Sequence, residues 1–101
     1  MIETASLDAL FAPRSVAIIG ASSDQRRFGG RPIQYLLDGG FEGGIYPVNP
    51  AREKIQGLRA YPLISAIEGN VDCAILAISA EATLETLEAC IAKGVRSAIL
   101  Y

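Results

Sequence analysis

Three stretches of the chain carry residue types suited to holding phosphate. The first is Gly20-Ala21-Ser22-Ser23, followed after Asp24–Arg27 by Phe28-Gly29-Gly30. Gly20 permits a tight turn, the small Ala21 and Ser22 let a ligand approach the backbone, and two hydroxyls add donors. A helix starting near Gly30 would aim its unpaired N–H groups at the same spot, which favours an anion. A plain strand-to-helix loop of small residues is the competing reading.

The second stretch is Val48-Asn49-Pro50-Ala51-Arg52-Glu53-Lys54. Arg52 and Lys54 suit a free phosphate or a phosphorylated ribose; paired with Glu53 they would make only a solvated turn. Pro50 fixes its own φ and pushes Asn49 towards an extended conformation, giving a rigid wall that offers a ligand base few donors. The third stretch is Ile78-Ser79-Ala80, where Ser79 reads as a helix cap whose neighbouring donors can also meet ligand. Arg26, Arg27 and Arg31 surround the first stretch, and one of them is expected to touch phosphate.

Several chemistries are excluded. The dinucleotide fingerprint G-x-G-x-x-G would need glycine where Ser22 stands, and no Gly-Lys-Ser/Thr completes a Walker A loop. NAD sites usually place an acid at the end of the second strand to hold a ribose diol, but Val48 is followed by Asn49-Pro50. The chain has no histidine, which removes a Ser-His-Asp triad, a His-ligated metal and a His base. Its two cysteines, Cys73 and Cys90, are too few for a zinc framework and read as reduced core thiols, which suggests a cytoplasmic setting.

Positioning these stretches requires alternating strands and helices. Ser6 can cap a short helix through Leu7, Leu10 and Phe11 that Pro13 stops. Ser15–Gly20 reads as a strand buried on both faces, and Pro32 opens a helix with Ile33, Leu36 and Leu37 on its apolar side. A strand at Gly44–Val48 follows, then an extended piece around Ile55 to Ala60 and a brief helix from Pro62 to Glu68. Val71–Ile78 is the strongest strand. Ser79 caps a helix with apolar Ala80, Leu84, Leu87 and Ile91, Gly94 ends it, and Val95–Tyr101 forms a last strand.

This pattern predicts an α/β fold, Rossmann-like and doubly wound, with a mainly parallel sheet of about five strands. At 101 residues the chain is a single domain, 1–101. A formal charge of −2 gives no general attraction to nucleic acid, and no apolar run approaches the about 20 residues that span a bilayer. Neither a nucleic acid nor a membrane is therefore an expected partner.

The run Phe11-Ala12-Pro13-Arg14-Ser15-Val16-Ala17-Ile18-Ile19-Gly20-Ala21-Ser22, with Phe28-Gly29-Gly30 and Gly40-Phe41-Glu42-Gly43-Gly44-Ile45-Tyr46-Pro47-Val48-Asn49-Pro50, closely resembles a known domain. That domain is the N-terminal CoA-binding domain of the NDP-forming acyl-CoA synthetases. Its superfamily includes the succinyl-CoA synthetase α-subunit and the ADP-forming acetyl-CoA synthetases. The likeness continues through Ile55-Gln56-Gly57, Ala60-Tyr61-Pro62, Val71-Asp72 and Gly94-Val95.

The resemblance implies binding of the 3′-phospho-ADP end of coenzyme A. By it, Gly20, Ala21, Ser22 and Gly29 belong to the phosphate loop, and Val48, Asn49, Pro50 and Arg52 flank the nucleotide. Ile78 and Ser79 replace a Val-Pro pair of relatives, so the rigid proline is lost there. In full-length relatives acid, CoA and a nucleoside triphosphate are joined through an acyl phosphate and a phosphohistidine. That histidine and the ATP-grasp region lie in later domains. The implied function is thus a CoA-binding module of an ATP-dependent ligase, not catalytic alone, whose partners are CoA and the remaining synthetase domains or subunit. Since the family's next CoA contacts follow the strand ending at Tyr101, the chain reads as a piece of a longer synthetase. An uncovered C-terminal strand would predispose it to self-association. The alternatives are a stand-alone CoA-binding regulatory protein, the sensor domain of a lysine acetyltransferase, and, less well supported, an NAD(P)-dependent oxidoreductase fragment.

Overall fold

The computed structural model describes residues 13–100, so the helix expected from Ser6 to Phe11 lies outside the described residues. Branched apolar runs become the strands of one parallel sheet: β1 (Ser15–Ile19), β2 (Gly44–Val48), β5 (Cys73–Leu76) and β6 (Ser97–Leu100). Helix α1 (Arg31–Asp38) connects β1 to β2, and α2 (Ala80–Lys93) connects β5 to β6. The strand order is β2-β1-β5-β6, with Val16 beside both Ile45 and Cys73. The chain therefore leaves β1 towards one edge and later returns to its other side, which opens a crevice between the C-terminal ends of β1 and β5.

Period-two alternation divides the core between the sheet's two faces. Val16, Ile18 and Cys73 pack on one face with Ile33 and Leu36 of α1 and with Ile55. Ala17, Val48, Ala74 and Leu76 pack on the other with Ile64, Ile67 and Cys90. Helices cover both faces, as a doubly wound sheet requires.

Both helices end on glycine. After α1, Gly39 N–H donates to Tyr35 O at 2.9 Å and Gly40 takes φ +73°. After α2, Gly94 takes φ +86° and Val95 N–H reaches Cys90 O at 3.0 Å. At the opposite end of the sheet the buried Ser15 hydroxyl donates to Asn70 O and accepts from Asp72 N–H. Arg14 N–H donates to the Asp72 carboxylate at 2.8 Å.

Four differences from the sequence reading have physical causes. Among the described residues the main sheet has four strands rather than about five, because the extended piece expected around Ile55 to Ala60 folds back on itself. Its β3 (Lys54–Ile55) and β4 (Leu58–Arg59) form a separate antiparallel ribbon. The segment expected as a helix from Pro62 to Glu68 makes only a 3₁₀ turn at Ile64–Ala66, since Leu63 and Ile67 are both extended. Strands β5 and β6 are shorter than Val71–Ile78 and Val95–Tyr101, although Val71 is still buried. In α2, Leu84 and Ile91 are exposed at 70% and 76%, so of the expected apolar positions it is Leu87 that packs on the core, beside Cys90.

Candidate functional site

The crevice is filled by the loop that follows β1. Gly20 turns at φ +84°, and the N–H groups of Gly20 and Ala21 both donate to Val48 O, at 3.1 and 3.2 Å. A Cβ on Gly20 would stand 2.3 Å from the Ala77 carbonyl oxygen, so the loop enters the gap between β1 and β5 only without a side chain. The loop then doubles back. Ser22 N–H donates to Gly29 O at 3.1 Å, and a Cβ on Gly29 would lie 1.9 Å from Gly20 O. Here backbone packs directly on backbone.

Two amide side chains from elsewhere hold this loop. Asn49, just past β2, donates from Nδ2 to Ala21 O at 3.0 Å while its Oδ1 accepts from Ala51 N–H at 2.8 Å. Gln56 donates from Nε2 to Ser22 O at 3.0 Å and to Gly30 O at 2.9 Å. It does so from the turn of the β3–β4 ribbon, where Gln56 and Gly57 both have positive φ, 51° and 81°. That is the pattern of a two-residue hairpin turn, in which asparagine or aspartate is the usual first residue.

The loop borders an open cleft of 820 Å³. Gly20, Ala21, Ser22, Gly29, Asn49 and Arg52 all line it. Six of the ten residues expected at the site therefore share one cleft. Val48, Pro50 and Ile78 line an adjoining apolar cleft of 510 Å³ on the α2 side, whose wall also includes Gly20 and Asn49. Ser79 lines neither. It caps α2 through its backbone, with its carbonyl accepting from Ala82 N–H and from the Thr83 hydroxyl, and its own hydroxyl makes no capping bond.

The donors differ from those expected at the helix start. Gly30 and Arg31 N–H both donate to Arg27 O, and Pro32 has no N–H, so most of the first turn of α1 is already satisfied. Among the described residues, the N–H groups of Ser23 and Gly29 have no acceptor, and both residues line the cleft. Ser22 Oγ accepts from Asp24 N–H at 3.0 Å, which fixes the hydroxyl oxygen and leaves its proton to donate.

The three arginines around the loop separate. Arg26 is an exposed partner of the Asp24 carboxylate at 3.1 Å, Arg31 lies over the Phe28 ring at 5.6 Å, and Arg27 alone of the three lines the cleft. Arg27 also approaches Asp24, at 3.7 Å. The Arg26 side chain and backbone, hydrogen bonded to Asp24, hold that carboxyl below its ordinary pKa. It therefore stands ionised on the cleft wall.

The roles of Asp24 and Gln56 escaped the sequence reading. A Gln-Gly pair between two extended dipeptides was the available signal for Gln56, since glutamine is an unusual first residue for such a turn. The expected cysteine state agrees: Cys73 and Cys90 are free and buried. Among the described residues no cluster of acids and cysteines can hold a metal ion, and no helix is long and apolar enough to cross a membrane.

Comparison with known proteins gives this geometry its relatives. A family profile described as a CoA binding domain matches residues 14–101. Acetate–CoA ligase [ADP-forming] II of Archaeoglobus fulgidus is 43% identical over 91 residues, covering 90% of this chain and 14% of that protein. The α-subunit of acetate–CoA ligase [ADP-forming] II of Pyrococcus furiosus is 38% identical over 95 residues, covering 93% of this chain and 20% of that subunit. The solved dinucleotide forming acetyl-coenzyme A synthetase 1 of Ca. Korarchaeum cryptofilum, in complex with phosphate and ADP, superposes with a TM-score of 0.88. It shares 34% identity over 94% of this chain and 20% of that one. The chain thus spans a fifth or less of the length of these relatives. With the profile reaching from Arg14 onwards, the chain belongs to the CoA-binding domain family, and its relatives are ADP-forming acetyl-CoA synthetases.

Proposed function

We propose that the chain is the CoA-binding module of an NDP-forming acid–CoA ligase and that it holds the 3′-phospho-ADP part of coenzyme A. The observation that carries this reading is the backbone-on-backbone loop 20–30, which opens onto a cleft shared with Arg52. The ligand's pyrophosphate sits against Ser22, Ser23 and Gly29, where unpaired N–H groups and a hydroxyl converge. The nucleoside lies over Asn49 and Pro50, and Arg52 supplies a charge-assisted contact to phosphate.

The chain binds and orients CoA without performing the ligation itself. The remaining synthetase domains or subunit are its partners. Strand β6, with Ile99 and Leu100 exposed at 38% and 65%, offers an edge for self-association, which sedimentation at rising concentration would reveal.

Calorimetry with CoA and NADH tests the reading. CoA binds, NADH binds more weakly or not at all, and Arg52→Ala costs about 1.5–3 kcal/mol of CoA affinity if that contact is well desolvated. Tighter binding of NADH than of CoA overturns it.

A further inference from the structure

Asp24 stands on the wall of the loop cleft with two cations beside it, and it holds them unequally. Its grip on Arg26 has three parts. Oδ1 accepts from Arg26 N–H at 3.0 Å and from Arg26 Nε at 3.1 Å, and Oδ2 accepts from Nη2 at 3.4 Å. The Arg27 side chain meets the carboxylate only through Nε, 3.7 Å from Oδ2, which is too long for a hydrogen bond. The backbone around the carboxylate is fixed. Asp24 N–H donates to Ser22 Oγ at 3.0 Å, and Asp24 O accepts from Arg27 N–H at 3.0 Å. That carbonyl oxygen also packs where a Cβ on Gly30 would stand. The Arg27 side chain, by contrast, is 76% exposed and lines the cleft, whereas Arg26 does not line it.

The two pairs respond differently to an incoming phosphate. An exposed ion pair without hydrogen bonds contributes little, since water screens it. A guanidinium forked on a phosphate makes two charge-assisted hydrogen bonds, so a phosphate competes well with Asp24 for Arg27. It competes poorly for Arg26, whose side chain and backbone are already bonded to Asp24. The unpaired N–H groups of Ser23 and Gly29 line the same cleft as Arg27, within the same short loop.

We propose that Arg27 exchanges partners when the ligand binds: it leaves the Asp24 carboxylate for a phosphate of the ligand, while Arg26 stays on Asp24. Arg27 is then a further ligand-binding residue. Asp24 is a positioning residue that keeps Arg27 against the loop until a phosphate arrives. The inference rests on the CoA reading above. It adds that the loop carries its own internal anion, which the ligand displaces from Arg27, and that Arg26 keeps that anion partly neutralised beside the bound phosphates.

The test is a double-mutant cycle read by calorimetric titration of the full chain with CoA, for wild type, Arg27→Gln, Asp24→Asn and the double variant. Asp24→Asn keeps an oxygen for Arg26 N–H and the Arg27 side chain is exposed, so the variants fold as wild type does, which melting curves check. Arg27→Gln lowers CoA affinity by about fivefold to tenfold, and Arg27→Lys recovers part of that loss. Asp24→Asn raises affinity about threefold to tenfold when Arg27 is present. In the Arg27→Gln background it raises affinity by no more than about twofold, because the cation it would release is gone. An equal gain in both backgrounds, or an Arg27→Gln variant that binds CoA as wild type does, overturns the exchange while the CoA reading stands. If wild type does not bind CoA, the CoA reading falls, and the exchange falls with it.

Discussion

The Gln56 carboxamide donates to the Ser22 carbonyl across 34 positions of sequence, and the same nitrogen reaches Gly30 O. One side chain therefore ties both ends of loop 20–30 to a ribbon outside the main sheet. The left-handed backbone at Gln56 carries a cost of about 1–2 kcal/mol for a residue with a Cβ. Glycine would adopt that conformation without strain.

Glutamine at this position thus separates stability from binding. Gln56→Ala keeps the strain and loses both hydrogen bonds, with an expected loss of about 1–2 kcal/mol in stability and a several-fold loss of CoA affinity. Gln56→Gly relieves the strain, so its melting temperature stays near wild type while its CoA affinity remains as weak as that of the alanine variant. Melting curves paired with calorimetry read this out. Wild-type affinity in Gln56→Gly would show that the clamp does not position the loop.

Gly29→Ala tests the close packing of the loop upon itself. Its Cβ would meet a backbone carbonyl at 1.9 Å rather than a side chain able to move aside. Overpacking of this kind costs about 1–3 kcal/mol, and the urea midpoint should fall accordingly. An unchanged midpoint would mean that Gly20 and Gly29 are not in contact in solution.

Asp24 lies on the wall of a cleft proposed to hold phosphates, where its charge opposes the ligand and engages Arg26 and Arg27. Asp24→Asn removes the repulsion and releases both guanidinium groups. CoA affinity should rise by several-fold, about threefold to tenfold. Mild acidification will not reproduce the effect, because the Arg26 hydrogen bonds hold the carboxyl below its ordinary range and so ionised at pH 5. A weaker-binding Asp24→Asn would show that the carboxylate shapes the loop more than it repels ligand.

Burial raises the pKa of both cysteine thiols; Asp72 raises that of Cys73 further, while a hydrogen bond with Ser97 partly offsets the rise. The folded state therefore favours the neutral thiol. That contribution to stability is fully present below the unfolded pKa of about 8.5 and is lost as the pH rises through the folded values. Urea stability measured across pH 7–10.5 should decline above about pH 8.5, and the double change to alanine should flatten that decline. An alkaline slope unaltered by the substitutions would assign it to other groups.

The elements were legible where local chemistry and burial agree. Ser15–Ile19 and Gly44–Val48 are branched, continuously apolar and closed by glycine or Asn-Pro, and both became the expected strands. Pro32 likewise opens α1 as read, and Gly39 closes it. Leu84 and Ile91 illustrate the limit: helical spacing groups them with Leu87, yet it is Leu87 and the expected core thiol Cys90 that pack on the core. At the site, the residues contributing to the loop cleft through small size or backbone position were readable from Gly20, Ser22 and Asn49. The partners of those backbones were not. Whether Gly30 N–H faces a ligand or Arg27 O, and whether Gln56 points at solvent or at Ser22, depends on how distant segments meet.

The support that Asn49 and Gln56 lend to loop 20–30 bears on transplanting it. Cut out as residues 20–30 and placed between a strand and a helix of another protein, the segment would lose the acceptors and donors that shape it: Val48 O, the Asn49 amide and the Gln56 amide. A working graft would need at least residues 15–61, because Asn49 is itself seated by the Tyr61 carbonyl, which accepts its N–H at 2.9 Å. The portable unit of this protein is not loop 20–30 alone but the first half of the sheet together with its ribbon.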